Sequence, residues 1–211
     1  STSFAHRTRM TNLQTVQLFY APGACSLSPH IALREAKLPF TLERVNFQDR
    51  ASFLAINPKG YVPALRLGDG AVITEGAVIV QWIADQAPAS KLAPANGTLE
   101  RVRLQEWLHF IATEIQKGMS PLYNKAISDE LKQPMRDKIA HRFAFAADAL
   151  KGRSFLMGDT FTVADGYLFY ALRSWQKSHG GVIDGALADF YATTAKRESV
   201  KAALEAEKIE A

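Results

Sequence analysis

Apolar and polar residues follow two rhythms along this chain, and the rhythm changes near residue 87. In the first part the pattern is short and strand-like. Val16 to Tyr20 is a β-prone run that stops at Ala21-Pro22-Gly23, a strong turn sequence. Ser26 or Ser28 then stands at a helix N-cap, with Pro29 in the first turn and apolar positions continuing to Lys37. Phe40 to Phe47 alternates and predicts a second strand, 51–56 a short helix, and 57–60 a loop. Two further short runs, 64–67 and 71–74, flank Gly68-Asp69-Gly70 as a hairpin, and Glu75-Gly76 opens an apolar helix over 77–84. The order βαβαββα contains one parallel crossover and one hairpin. Such an order predicts a mixed four-stranded sheet with helices on its faces.

Residues 87–98 are rich in Pro, Ala, Asn and Gly and read as a linker between domains. Beyond them the spacing turns helical: Leu104, Trp107, Leu108 and Ile111 recur at three or four residues, and 139–150 repeat the pattern through Phe143, Ala146 and Ala147. Thr162 and Asp165, ahead of the apolar run 167–170, form the sequence of a capping box. The organisation expected is an α/β domain over 16–86, a linker over 87–98 and an all-helical domain over 99–211. Residues 1–15 carry no such pattern and read as an extension outside the fold, with Met10 preferred as the natural start over an organelle transit segment.

With 47% hydrophobic and 22% charged residues in 211, the chain can bury a sizeable core, which removes disordered and low-complexity classes. The formal charge of +4 falls to +2 without Arg7 and Arg9, and no basic run remains, so a nucleic-acid partner is not expected. No apolar stretch nears the roughly 18 residues of a membrane span. One cysteine excludes an internal disulfide and a Cys-based zinc site, and His6, His30, His141 and His179 lack ligand spacing. No metal is expected, and a reducing, cytoplasmic setting is.

That cysteine, Cys25, sits where the first turn meets the first helix. Unpaired helical N–H groups there favour thiolate over thiol, so a lowered pKa is expected. Cys25-Ser26-Leu27-Ser28 also resembles a Cys-x-x-Cys motif without its second thiol; a buried structural cysteine is the competing reading. Tyr20 lies near the same mouth, or is an ordinary strand aromatic. Val62-Pro63, just before a strand, fits a cis peptide that presents the Val62 N–H and C=O to an extended ligand. Glu75 and Gly76 place a carboxylate beside free N–H groups at a helix start, a pair suited to an ammonium and a carboxylate. Nucleotide-binding, Walker, hydrolase and zinc-protease motifs are absent.

From Val16 onward the chain resembles cytosolic glutathione transferases, most closely the bacterial beta class. The resemblance rests on the run from Leu18 through Cys25 to Ile31, on 55–60, Val62-Pro63-Ala64-Leu65 and Thr74-Glu75-Gly76, and on Glu106 to Leu122 and Phe161 to Asp165. It implies a thioredoxin-like N-terminal domain, an all-helical C-terminal domain, a homodimer, and glutathione as co-substrate with no permanently bound cofactor. It further implies that Cys25 faces the glutathione sulfur, Val62 pairs with the cysteinyl part, and Glu75 and Gly76 hold the γ-glutamyl end. His109 and Lys117 fall where the family reaches glutathione or the neighbouring electrophile, and Met119, Tyr123 and Trp175 fall near the electrophile pocket. There are departures. Gln116 stands where the family usually has His, His109 where Asn is usual and Tyr61 where Gln is common. The segment 46–52 is short and lacks lysines, leaving Arg50 as a candidate for glutathione's glycine carboxylate, and Trp175 lies one residue late. The expected activity is conjugation of glutathione to small apolar electrophiles. A glutathione-dependent disulfide reductase acting through Cys25, or a non-catalytic binding protein of the same fold, are the alternatives.

Overall fold

In the computed structural model, which describes residues 14–211, four strands form one sheet: β1 (Val16–Tyr20), β2 (Phe40–Arg44), β3 (Ala64–Arg66) and β4 (Val72–Thr74). The extension expected over residues 1–15 lies, apart from its last two positions, outside the described residues. The strand order is β2-β1-β3-β4, with β1 parallel to β2 and the other pairs antiparallel. Helices α1 (Leu27–Glu35), α2 (Arg50–Ile56) and α3 (Gly76–Gln86) complete the βαβαββα order expected from the sequence.

Because side chains alternate along a strand, the central β1 is covered on both faces. Val16, Leu18 and Tyr20 join the main core with Leu27 and Ile31 of α1 and Ile79 and Val80 of α3. Phe19 points the other way, into a smaller cluster with Val45, Phe53 of α2 and Ala64. β2 ends at Arg44, three residues short of the expected Phe47. Asn46 is the reason: its Oδ1 accepts the Gln48 N–H at 3.0 Å and its carbonyl accepts the Asp49 N–H at 3.1 Å, diverting the chain into a turn.

The helical half comprises α4 (Leu99–Phe110), a π-helical turn (Ile111–Gln116), the single turn α5 (Lys117–Met119), α6 (Asp129–Leu150), α7 (Val163–His179), α8 (Gly185–Ala195) and α9 (Glu198–Glu207). The stretch between the halves is clamped. Arg101, buried on α4, donates to both Asp85 oxygens at 2.9 Å and to the Pro94 carbonyl at 2.9 Å.

Helix α7 is the axis of this half. The capping box starts it: Asp165 Oδ2 accepts the Thr162 N–H at 2.9 Å, and Oδ1 accepts the Leu156 N–H at 2.9 Å. Asp165 is wholly buried, and that burial pushes its carboxyl up to about 7 against these hydrogen bonds. α1 packs against both α7 and α9, so the two halves share one continuous core and hold their facing surfaces in fixed register.

Candidate active site

A cavity of about 400 Å³ opens where the α/β half meets the π-helical turn, α5 and α7, a size suited to a small ligand. Its walls bring together Cys25, Val62, Glu75, Gly76, Gln116 and Lys117, which lie far apart in the sequence.

The turn after β1 delivers Cys25. Ser26 closes this turn, its Oγ accepting the Ala21 N–H and donating to the Ala21 carbonyl, both at 3.2 Å. Neither serine therefore caps α1 as the sequence suggested: Ser26 is committed to Ala21, and the buried Ser28 hydroxyl has no partner. Glu207 of α9 holds the same turn from outside, accepting the Gly23 N–H at 3.0 Å and bonding His30 Nδ1 at 2.6 Å. Arg34 Nε donates to His30 Nε2 at 3.0 Å, which leaves Nδ1 as the protonated nitrogen of a neutral ring.

The Cys25 thiol donates to the Val62 carbonyl at 3.2 Å. Its pKa is pushed up to about 11, not lowered. Burial outweighs the favourable contributions of the Gln116 amide, its own backbone and the Lys117 ammonium. The side chain expected as a thiolate is thus a protonated donor.

Val62 is joined to Pro63 by a cis peptide. The loop before it is pinned by the buried Asn57, whose Nδ2 donates to the Tyr61 carbonyl at 2.7 Å and whose Oδ1 accepts the Lys59 N–H at 3.2 Å. Glu75 adopts φ 72°, a backbone region that non-glycine residues rarely occupy and that tends to mark functional sites. This bend turns its carboxylate outward at the start of α3, where it pairs with the Lys59 ammonium. The Lys117 ammonium lies 5.3 Å from the centre of the Tyr61 ring. Tyr167, buried on α7, donates its hydroxyl proton to Gln116 Oε1.

The chain matches the glutathione S-transferase N-terminal domain family over residues 23–86 and the glutathione S-transferase C-terminal domain family over 110–202. It is 39% identical over 199 residues to glutathione S-transferase GstA of Escherichia coli O157:H7, a match covering 91% of this chain and 98% of that one. The chain belongs to the glutathione S-transferase family. Among solved structures, a sphingomonad glutathione S-transferase complexed with glutathione is 42% identical, with a TM-score of 0.86 over 92% of this chain and all of that one. The beta-class glutathione S-transferase of Sphingomonas chungbukensis is 39% identical, with a TM-score of 0.86 over the same shares. The fold of this transferase, a thioredoxin-like domain followed by a helical domain, is that of the family.

Six of the residues singled out from the sequence do not line the cavity of the transferase. Tyr20 is buried in the core beside His30. His109 is exposed on α4, seven residues or about 10 Å of helix before Gln116. Met119 is 1% exposed and packs inward, whereas Tyr123 is 60% exposed with its hydroxyl 3.3 Å from Ser174. Trp175 packs against Phe143 and His179 within the helical core, two turns of α7 beyond Tyr167. The Arg50 guanidinium is outside the lining but close to it, 3.0 Å from where a Cβ on Gly60 would stand.

The walls also contain residues that sequence reasoning passed over: Phe47, Asn57, Ala112, Thr113, Ser120 and above all Tyr167. Tyr167 looked like one more apolar position behind the capping box. The spacing of Ala112, Thr113, Gln116, Lys117 and Ser120 shows a single helix face turned to the cavity across the π turn, a feature often found at functional sites.

Proposed function

We propose that the protein conjugates the thiolate of glutathione to small apolar electrophiles in this cavity. The observation that carries the reading is the convergence of the Cys25 thiol, the Val62 backbone, the Glu75 carboxylate and the Gln116 amide on one space. Glutathione lies extended along Val62, with its γ-glutamyl ammonium on Glu75 and its γ-glutamyl carboxylate at the Gly76 end of α3, where the N–H groups of Gly76 and Ala77 precede the first intrahelical bonds. The tripeptide's own N–H takes the Val62 carbonyl, which releases the Cys25 S–H to donate to the incoming sulfur. The far end of the tripeptide then runs past Tyr61 and Gly60 towards the Arg50 guanidinium, which receives its glycine carboxylate.

The thiolate attacks the electrophilic carbon, forming a C–S bond as the leaving group departs with its electron pair. The protein contributes proximity and hydrogen bonds to the sulfur. Thr113, Ala112 and Tyr167 border the space left for the electrophile. The raised pKa of Cys25 disfavours the reductase reading, because a protonated thiol is a poor attacking group at neutral pH.

The protein acts as a homodimer. Exposed apolar side chains on α3, α4 and α6, namely Val78, Leu99, Val102 and Phe145, support this, with Phe145 packed against Trp107 and Phe110. Detoxification in the cytoplasm fits the apolar substrate class, and among the described residues no helix is long and apolar enough to cross a membrane. Glutathione is a co-substrate and no bound cofactor is required; among the described residues no cluster of three or more His, Cys, Asp or Glu could hold a metal. The test is conjugation of a chromogenic aryl halide by purified protein. Turnover that saturates in glutathione is expected, and no rate above background with glutathione binding intact overturns the reading.

A further inference from the structure

We infer that Arg142 of α6 is a positioning residue for the electrophile: it holds the π turn at 111–116 and so sets which side chains of that segment face the cavity. This rests on the transferase reading above and names what orders the wall against the second substrate.

A π turn closes its hydrogen bonds over five residues where an α turn closes them over four, so it holds one residue more. Returned to α geometry, it would rotate everything beyond it by the angle of one residue, about 100°. Ala112 and Thr113 lie at the start of the turn, Gln116 at its end, and Lys117 and Ser120 beyond it; all five line the cavity. Loss of the extra residue would therefore carry Lys117 and Ser120 away from the wall that Ala112 and Thr113 begin. The wall exists only while the π turn is kept.

Arg142 reaches this turn from 28 positions further along the chain. Its Nη1 donates to the Glu114 carbonyl, in the middle of the turn, and its Nη2 pairs with the Glu114 carboxylate at 2.8 Å. One planar group thus binds both the main chain and the side chain of a single residue, which its fixed fork of donors allows and a lysine cannot reproduce. The carboxylate is 46% exposed, so that arm contributes little by itself. The carbonyl contact acts on the helix, because side chains that bind into the hydrogen-bond ladder are among the causes of departure from α geometry. Room for the guanidinium is built in. A Cβ on Gly118 would stand 2.9 Å from Arg142 Nη1 and 3.5 Å from Ile139 Cγ1, so the bare backbone of α5 lets the group lie against the turn. Ile139 and Phe143, beside Arg142 on α6, are buried in the core and fix the base of its side chain. Arg142 does not line the cavity, so its effect on the reaction passes through the turn.

The test compares the wild type with Arg142→Met, Arg142→Lys and Gly118→Ala. Two things are read: hydrogen–deuterium exchange of the backbone amides, and kcat and KM for glutathione and for the aryl halide chlorodinitrobenzene. In Arg142→Met, exchange over 111–120 is expected to rise about tenfold while exchange over α7 stays as it was. KM for the aryl halide rises about fivefold in the same variant, and KM for glutathione, which is gripped from the other wall, stays within about twofold. Arg142→Lys keeps one donor and falls between Arg142→Met and the wild type. Gly118→Ala keeps the arginine but forces its guanidinium away from the turn, so it shifts exchange and the aryl halide KM in the same direction. It also keeps the test usable if Arg142→Met fails to fold. A general loosening of the molecule raises exchange in every helix and does not separate the two KM values. Unchanged exchange over 111–120, an unchanged aryl halide KM, or KM values for both substrates that rise together overturn the inference while leaving the transferase reading in place. Absence of conjugation by the wild type overturns both.

Discussion

The two walls of the cavity are built on different principles. The wall from the α/β half is mostly backbone: the turn that carries Cys25, the Val62 amide and carbonyl, and the bend at Glu75. The facing wall is mostly side chain: Gln116, Lys117 and Tyr167, each projecting from a helix whose placement depends on packing elsewhere. A backbone wall grips what all glutathione-like peptides share. A side-chain wall is free to vary, and in this protein it has an amide beside the sulfur.

The joint between the first wall and the helical half is Glu207 of α9, and breaking it has the largest expected effect. Its carboxylate and the His30 ring are wholly buried, and it ties α9 to the Cys25 turn through Gly23. Glu207→Ala leaves both donors unpaired and costs about 3 kcal/mol of stability, measured by urea unfolding. Glu207→Gln, which keeps an acceptor, recovers part of that loss. A change under about 1 kcal/mol for the alanine variant means that the turn stands without α9.

Next in size is the effect on the thiol of the first wall. With a pKa near 11, Cys25 is thiolate about one part in ten thousand at pH 7. Its alkylation by iodoacetamide should rise about tenfold per pH unit from 7 to 10 without a plateau. A plateau below pH 8 shows that the helix N-terminus prevails over burial after all. The sign follows from the neutral form being the favoured one: more alkaline solution is needed before the reactive species appears.

The second wall depends on α7 being started correctly. Asp165→Ala removes the reciprocal cap and the hold on Leu156, and should cost about 2 kcal/mol in thermal or urea unfolding. An effect below about 0.5 kcal/mol means that packing alone sets α7.

The same contrast explains what could be read from the sequence. The strand and helix order, the Cys25 turn, Val62-Pro63 and Glu75-Gly76 are encoded within a few consecutive residues, where turn chemistry and alternation act directly. Tyr167 and Gln116 meet across 51 positions, so no local pattern announces them. His109, on α4, and Trp175, on α7, lie outside the lining of the cavity. Whether a helical side chain reaches a cavity depends on the π turn at 111–116 and on how α7 crosses it, and neither is legible in periodicity. The lowered pKa expected of Cys25 failed for a related reason. The helix N-terminus was visible in the sequence, whereas the degree of enclosure depends on the opposite wall.

The smallest expected effect concerns how the backbone wall waits for its ligand. Lys59 pairs with the Glu75 carboxylate, so an arriving ammonium competes with a group already in place. The pair is largely solvent-exposed, at 47% and 66% of its side chains, and such pairs contribute at most about 1 kcal/mol. Lys59→Met should therefore leave stability within about 0.5 kcal/mol of the wild type. It should also lower KM for glutathione by about twofold, because Glu75 no longer has to exchange partners. A KM that rises more than about threefold gives the opposite lesson. Lys59 would then be swinging onto the ligand itself, and the first wall would grip by side chain as the second does.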